Sequence, residues 1–449
     1  MTFVSLHEWD IGRPDPGCPL AGVSLAGDSN AQQLARALTA SGQIEILELA
    51  QGLELRTSSF VGRIELGELT IAIQPKITGM PLLNLLLYAY GLRDLTVFSD
   101  VSYAITEVSF QDLLIQQLAA EASDLFARGL HRDYKRIAGL LSTPRGRIDL
   151  SRYVQMPGDC EPVLPCIQHE RSIDNFLNQV LLRGLELGSH IAADLDLRAS
   201  LRRMTKTFGQ GVSNGRLDRT CVDGAWRTLD RRTSAYKPAL TLIGLLVEAR
   251  GVSLEEALGQ LRFSGFLFDM NRFFQALLSR FLQEYLEGFV VRDECRLTGM
   301  FSYDPENNPF HRRDPVLRPD FVVIQGNEVV AVLDTKYRDL SKQEQSLPHE
   351  MLYQLALYAL SQPERNRRAV ILYPTMQSDV GEQIIQIQEP MHGATRAQVL
   401  LRPVCLSELE ELLREPSNPM LVRKRGELAL RYAFGKGWEA QKKKKLSFS

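Results

Sequence analysis

Up to about residue 97 the chain alternates short apolar and polar runs. Those at 43–50, 53–56, 60–66 and 69–74 predict the strands of a small β-rich domain. A denser apolar run at 82–90 predicts a helix packed on it. From about residue 109 the spacing becomes helical. Leu113, Leu118, Ala122 and Leu125 fall on one side of a helix over 112–130, and Phe176, Val180 and Leu181 do the same within 172–187. A third helix is expected at 239–247, and 207–224, with its glycines and no clear period, is expected to be a loop. Beyond about 264 the order changes again. It reads as a helix over 271–286, strands at 321–324 and 329–333, a helix over 347–361, a strand at 369–373, a helix at 406–413 and a strand-like end at 428–434. The fold class is therefore α+β and multidomain: a β-rich N-terminal domain over 1–100, a mainly helical middle region over 101–262 and an α/β domain over 263–449.

The chemistry concentrates in that last domain. Arg318-Pro319-Asp320 leads into the first of two apolar runs, and the second closes on Asp334-Thr335-Lys336, with Gly326-Asn327 as the turn between them. Asp334 and Lys336 share a face because side chains alternate along a strand. Asp320 falls opposite Asp334 only if the loop has an odd length or one strand carries a bulge, since a two-residue loop alone turns the acids to opposite faces. With that register, Asp320, Asp334 and the Thr335 carbonyl offer hard oxygens to Mg²⁺, and Mn²⁺ can substitute. Lys336 would orient an attacking water or neutralise charge on a phosphate. A surface hairpin carrying an ordinary Asp334–Lys336 salt bridge is the competing account. Asp133-Tyr134-Lys135 shows how readily such a triplet arises without a partner acid. On the following helix Gln354 and Tyr358, four residues apart, lie on one side.

Composition narrows the setting. Hydrophobic content of 44% and charged content of 24% in 449 residues are ordinary for a globular chain of two or three domains. A net charge of −2 gives no global basic field, so contact with DNA would need local patches. Arg312, Arg313 and Arg318 before the first acid, and Arg365, Arg367 and Arg368 after the second helix, are candidates that also read as solvated loops. Arg423-Lys424-Arg425 and the lysines at 442–445 read as solubilising ends. No leader-like N-terminus or membrane span is seen, and six scattered cysteines without a Cys-x-x-Cys pair suit a reducing, cytoplasmic setting. No phosphate-binding Gly-x-x-x-x-Gly-Lys-[Ser/Thr] loop occurs, so this chain is expected to bind no nucleotide itself.

Asp320, Asp334-Thr335-Lys336 and Gln354-x-x-x-Tyr358 resemble the PD-(D/E)xK nuclease superfamily, including its Gln-x-x-x-Tyr elaboration. Phe60-Val61-Gly62-Arg63-Ile64, Ile73-Gln74-Pro75-Lys76-Ile77, Arg145-Gly146-Arg147-Ile148, Glu170 to Asn175 with Asn178, and Phe268-Asp269-Met270 resemble the McrC family of methylcytosine-dependent restriction systems. The resemblance implies that 263–449 is a restriction-endonuclease-like domain cutting modified double-stranded DNA, in a defence system. It implies that the N-terminal region docks on an AAA+ GTPase of the McrB type. One departure stands out: Gln275 occupies the helix position where the superfamily usually has an acid. Two other readings follow, an adaptor that stimulates a partner NTPase on a degenerate nuclease fold, and a RecB-like repair nuclease acting at DNA ends.

Overall fold

The computed structural model describes residues 2–77, 79–92, 110–156, 163–213, 215–249, 265–341, 347–363, 366–415 and 418–435. The expected boundaries near 100 and 262, Arg365 and the lysines at 442–445 lie outside the described residues. The chain is a multidomain α+β structure with β-rich, helical and α/β regions.

The N-terminal region holds two sheets. One is ordered Thr2–His7, Leu69–Gln74, Phe60–Leu66, Gly265–Asp269; the other is Ile11–Gly12, Gly52–Thr57, Ile44–Leu49. The expected strands at 60–66 and 69–74 match theirs residue for residue. The fourth strand of the first sheet arrives from some two hundred residues downstream, and it explains the glycine in Phe60-Val61-Gly62-Arg63. Gly62 has φ 137°, and a Cβ there would meet the Phe266 carbonyl oxygen at 2.1 Å. Only glycine lets the two strands approach so closely.

In the middle region the helices Phe110–Arg128, Phe176–Ile191 and Lys237–Ala249 appear where helical spacing placed them. Two features differ from expectation. A three-stranded sheet, Asp133–Leu141, Leu164–Ser172 and Arg147–Ile148, interrupts the helices. Its strands expose Tyr134, Ile137 and Leu140, so no buried face gave the sequence an alternating signature. The expected loop at 207–224 is shorter: Leu195–Phe208 enters it, and Asp218 caps a helix at Arg219–Thr228 by accepting the Cys221 amide. Asn175 and Asn178 act as a hub. Both amides donate to the His131 carbonyl at 2.9 Å, and Asn178 accepts the Tyr236 hydroxyl at 2.6 Å.

The C-terminal region is a six-stranded mixed sheet in the order Val290–Asp293, Phe321–Gln325, Glu328–Thr335, Arg368–Thr375, Thr395–Cys405, Gln383–Gln388. Residues of Glu328–Thr335 divide between two cores by their alternation. Ala331 and Leu333 pack into the core containing Phe274, Leu278 and Tyr432, while Val332 packs into the one containing Leu355 and Tyr358. Each fully buried aliphatic or aromatic side chain here contributes roughly 1.5–3 kcal/mol. The helix Met270–Tyr285 lies over the first core. Its apolar stripe of Met270, Phe273, Phe274, Leu277, Leu278, Phe281 and Leu282 has helical spacing, and Asp269 caps it by accepting the Asn271 amide. The helix His349–Leu360 covers the other face.

The strand-like end expected at 428–434 is instead part of a helix, Pro419–Phe434. Its buried residues Leu428, Ala429, Tyr432 and Ala433 recur at three to four positions, a period that seven residues are too few to separate from alternation. That helix also corrects the reading of Arg423-Lys424-Arg425 as a solvated end. Arg425 is fully buried, donates to the carbonyls of Leu412 and Glu415, and stacks over Tyr285 at 5.4 Å. Among the described residues, no helix is long and apolar enough to cross a membrane.

Candidate functional site

The two acids meet because the hairpin is irregular. Gln325 pairs with Glu328, leaving Gly326-Asn327 as a two-residue loop, but between Val323 and Ile324 the register shifts and Val330 is passed over. That β-bulge resets the alternation. Phe321 then faces Leu333, and continuing that register one step sets Asp320 opposite Asp334, whose carboxyl feels the Asp320 charge. The bulge that the register argument required is present.

Thr335 holds Asp320. Its amide and its hydroxyl both donate to Asp320 Oδ2, at 2.7 and 2.5 Å. Asp334 is 2% exposed, and its Oδ2 has no well-aligned hydrogen-bond donor; its close neighbour is the Lys336 ammonium at 2.8 Å. Burial, and then the adjacent Asp320 charge, push the Asp334 carboxyl up to about 6, and Lys336 offsets them only in part. One ammonium for two crowded carboxylates leaves negative charge in excess. Such a donor set suits a small divalent cation taking one or two carboxylates and keeping several waters. Among the described residues no group of three or more His, Cys, Asp or Glu side chains is placed to hold a metal ion, so the fit rests on two carboxylates and a carbonyl.

Gln354 and Tyr358 come together as a strut. Gln354 Nε2 donates to the Tyr358 hydroxyl at 2.8 Å, and that hydroxyl donates to the Arg318 carbonyl at 2.9 Å, two residues before Asp320. Burial holds the Tyr358 phenol up at about 12, with Asp334 and Asp320 adding to the effect, so it stays a donor at any ordinary pH.

Gln275 is half-buried on the helix Met270–Tyr285. On that helix Asn271 reaches the site segment through a hydrogen bond, its Oδ1 accepting the Tyr337 amide at 3.1 Å. Sequence reasoning did not single out Asn271, and its only signal was a polar residue opening an apolar helix. Arg312, Arg313 and Arg318 are exposed on the loop before Asp320. Arg312 lies 5.4 Å from the Phe310 ring, and its backbone is pinned to the Asn308 side chain. Arg368 does not join them. It alternates with Val370 and Leu372 on the sheet face opposite Asp334, where it lines a cleft of about 1290 Å³ with Arg292 and Arg296. His311 is exposed in a left-handed backbone conformation, φ 48°.

The model of the family described as McrBC 5-methylcytosine restriction system component matches residues 55–374. Among solved structures, the chain is similar in fold to one in the refined half-complex from a tetradecameric assembly of Thermococcus gammatolerans McrB AAA+ hexamers with bound McrC. The two are 18% identical with a TM-score of 0.63, over 96% of this chain and 99% of that one. The cryo-EM structure of the Thermococcus gammatolerans McrBC complex also matches, at 18% identity and a TM-score of 0.46, over 64% of this chain and 88% of that one. No curated protein sequence matches.

Proposed function

The chain belongs to the McrBC 5-methylcytosine restriction system component family, and from that premise we propose that it is the Mg²⁺-dependent DNA endonuclease subunit of such a system, of the McrC type. The observation that carries the reading is the buried Asp334 carboxylate, set across from Asp320 and 2.8 Å from Lys336. A salt bridge made only for stability gains little from a second acid, which raises the cost of ionising the first.

Asp320, Asp334 and the Thr335 carbonyl would hold the cation. When bound, it would supply Lewis-acid stabilisation of charge on the phosphate. Lys336 brings a positive charge to the same face, where it would neutralise an attacked phosphodiester or orient a water. Thr335 orients Asp320 through its two donated hydrogen bonds. Gln354 and Tyr358 fix the backbone leading into Asp320. Arg312, Arg313 and Arg318 would hold flanking phosphates, which gives position without sequence choice.

The chain would act with an AAA+ GTPase of the McrB type, the protein that the matched Thermococcus assembly contains. That partner, not this chain, would bind GTP and read the modified DNA. In this scheme the domains divide near 100 and 262, with the N-terminal one docking the partner, and the complex would work in the cytoplasm.

The test compares wild type with Asp334→Ala, each copurified with its native partner, on closed circular DNA with and without methylation, in Mg²⁺ and GTP. Cutting by wild type alone is the expected result. Equal stimulation of nucleotide hydrolysis with no cutting by either protein would favour an adaptor instead. Cutting only of DNA with free ends would favour a repair-type nuclease.

A further inference from the structure

Lys336, one residue past the strand Glu328–Thr335, is still tied to the sheet through its amide to the Leu372 carbonyl at 3.0 Å. The next residue, Tyr337, has left the ladder, yet both of its backbone groups are taken by side chains. Its amide donates to Asn271 Oδ1 at 3.1 Å, and its carbonyl accepts the Trp9 indole N–H at 2.8 Å. Trp9 stands in the turn after the first N-terminal strand, 328 residues away in sequence. Asn271 in turn is oriented by the N-terminal region, because its Nδ2 donates to Ser59 Oγ at 2.6 Å. Those two bonds leave only one way round for the amide.

The surroundings hold this contact in place. Trp9 sits at φ 61°, a conformation that costs a bulky residue energy and persists only where neighbours over-determine it. The Arg338 guanidinium stacks 5.1 Å over its ring, and the Tyr337 side chain is buried edge-on to Phe274 at 5.8 Å.

We propose that Trp9 and Asn271 are positioning residues for Lys336. Trp9 clamps the Tyr337 carbonyl directly and Asn271, held by Ser59, clamps its amide, and together they set where the lysine ammonium stands relative to Asp334. The proposal rests on the nuclease reading of the site. It makes the N-terminal region part of the catalytic geometry. A misplacement of about 1 Å is enough to slow such chemistry strongly.

Two conservative changes test it in the full chain: Trp9→Phe, which removes the indole N–H and keeps a ring under Arg338, and Asn271→Ala. The first readout is independent of cutting. Amide hydrogen exchange should rise about tenfold at 336–338 in both variants and stay unchanged in Phe321–Gln325. The second uses the complex with its partner at saturating Mg²⁺. There kcat should fall about tenfold with KM for DNA unchanged, and neither variant should have any further effect in a Lys336→Ala background. If exchange rises but kcat is unaltered, or if the effects add to that of Lys336→Ala, positioning is overturned. If exchange rises and wild type itself does not cut, the nuclease reading fails and the contact is structural only. Unchanged exchange in both variants would overturn the clamp itself.

Discussion

The Tyr358 hydroxyl donates to the carbonyl of Arg318 at 2.9 Å, so a helix residue on one face of the sheet fixes the backbone that carries Asp320 two residues later. Tyr358→Phe removes that donor and leaves a carbonyl at the site unpartnered. Equilibrium denaturation should show a loss of about 1–2 kcal/mol. Gln354→Ala should cost less, because its side chain is only half-buried and the Tyr358–Arg318 bond survives. In the complex, Tyr358→Phe should slow cutting more than its stability loss explains. An equal effect of both variants on cutting would mean that the pair acts as one polar edge, not as a strut for Asp320.

The raised Asp334 carboxyl sets a pH dependence. Its ordinary value is 3.8 and its folded value about 6, so the folded state holds this proton more firmly than the unfolded chain. Without a cation, its contribution to stability is therefore greatest below pH 3.8 and is lost as pH rises through about 6. Cation binding has the opposite sense, since the ligand must be ionised. Affinity for Mn²⁺, followed by calorimetry on the isolated chain, should fall about tenfold per pH unit below 6 and level off above it. Asp334→Asn should bind weakly at every pH. An affinity flat from pH 5 to 8 would remove Asp334 from the ligand set.

The approach of Asp320 to Asp334 was legible in the sequence because its signals are local. Strand alternation, the Gly326-Asn327 turn and an acid at each end of the hairpin required a register shift, and the bulge at Val330 supplies it. Local signals fail where a partner comes from far away. Nothing near Gly265–Asp269 reveals that it completes the N-terminal sheet beside Phe60–Leu66, although Gly62 marks the crossing. Trp9 and Asn271 are equally silent, since their significance lies in reaching Tyr337. The exposed sheet at Asp133–Leu141 escaped for a different reason: with little buried face there was no alternation to read.

Arg425 is a core residue, and its replacement should show it. Its Nε and Nη2 donate to the carbonyls of Leu412 and Glu415, which close the helix Leu406–Leu413 and the turn after it. Arg425→Lys keeps the charge but loses the planar fork, and Arg425→Met keeps the volume but loses every donor. Chemical denaturation should register a loss of about 3–5 kcal/mol for lysine, which leaves a charge buried and poorly paired. Methionine should cost about 1–3 kcal/mol through the orphaned carbonyls. Arg423→Met, at an exposed position, should change stability by no more than about 0.5 kcal/mol. Equal, small effects at both positions would return the cluster to the solvated end that its sequence suggests.

Glu8 makes the sharpest stability prediction. It is 1% exposed beneath the clamp; Oε1 accepts the Lys76 amide at 3.0 Å, and Oε2 lacks a well-placed donor while facing the Tyr337 phenol. Burial lifts its carboxyl from an ordinary 4.5 to about 7, against smaller opposing effects of the Lys76 amide, the Lys76 charge and Tyr337. A folded value above the unfolded one means that the native state binds the proton more tightly, so this group's stabilisation is complete below pH 4.5 and disappears as pH rises through 7. At about 1.4 kcal/mol per pH unit, ionising Glu8 costs the folded protein on the order of 3 kcal/mol above pH 7. Glu8→Gln is uncharged, keeps the acceptor for the Lys76 amide and turns an amide N–H₂ toward the Tyr337 oxygen. The variant should match wild type near pH 4.5 and exceed it by a few kcal/mol at pH 8, with the gap opening between those values in urea denaturation. A gap that is constant across that range would mean that Glu8 keeps one charge state throughout, and that its burial is offset by a partner stronger than the Lys76 amide.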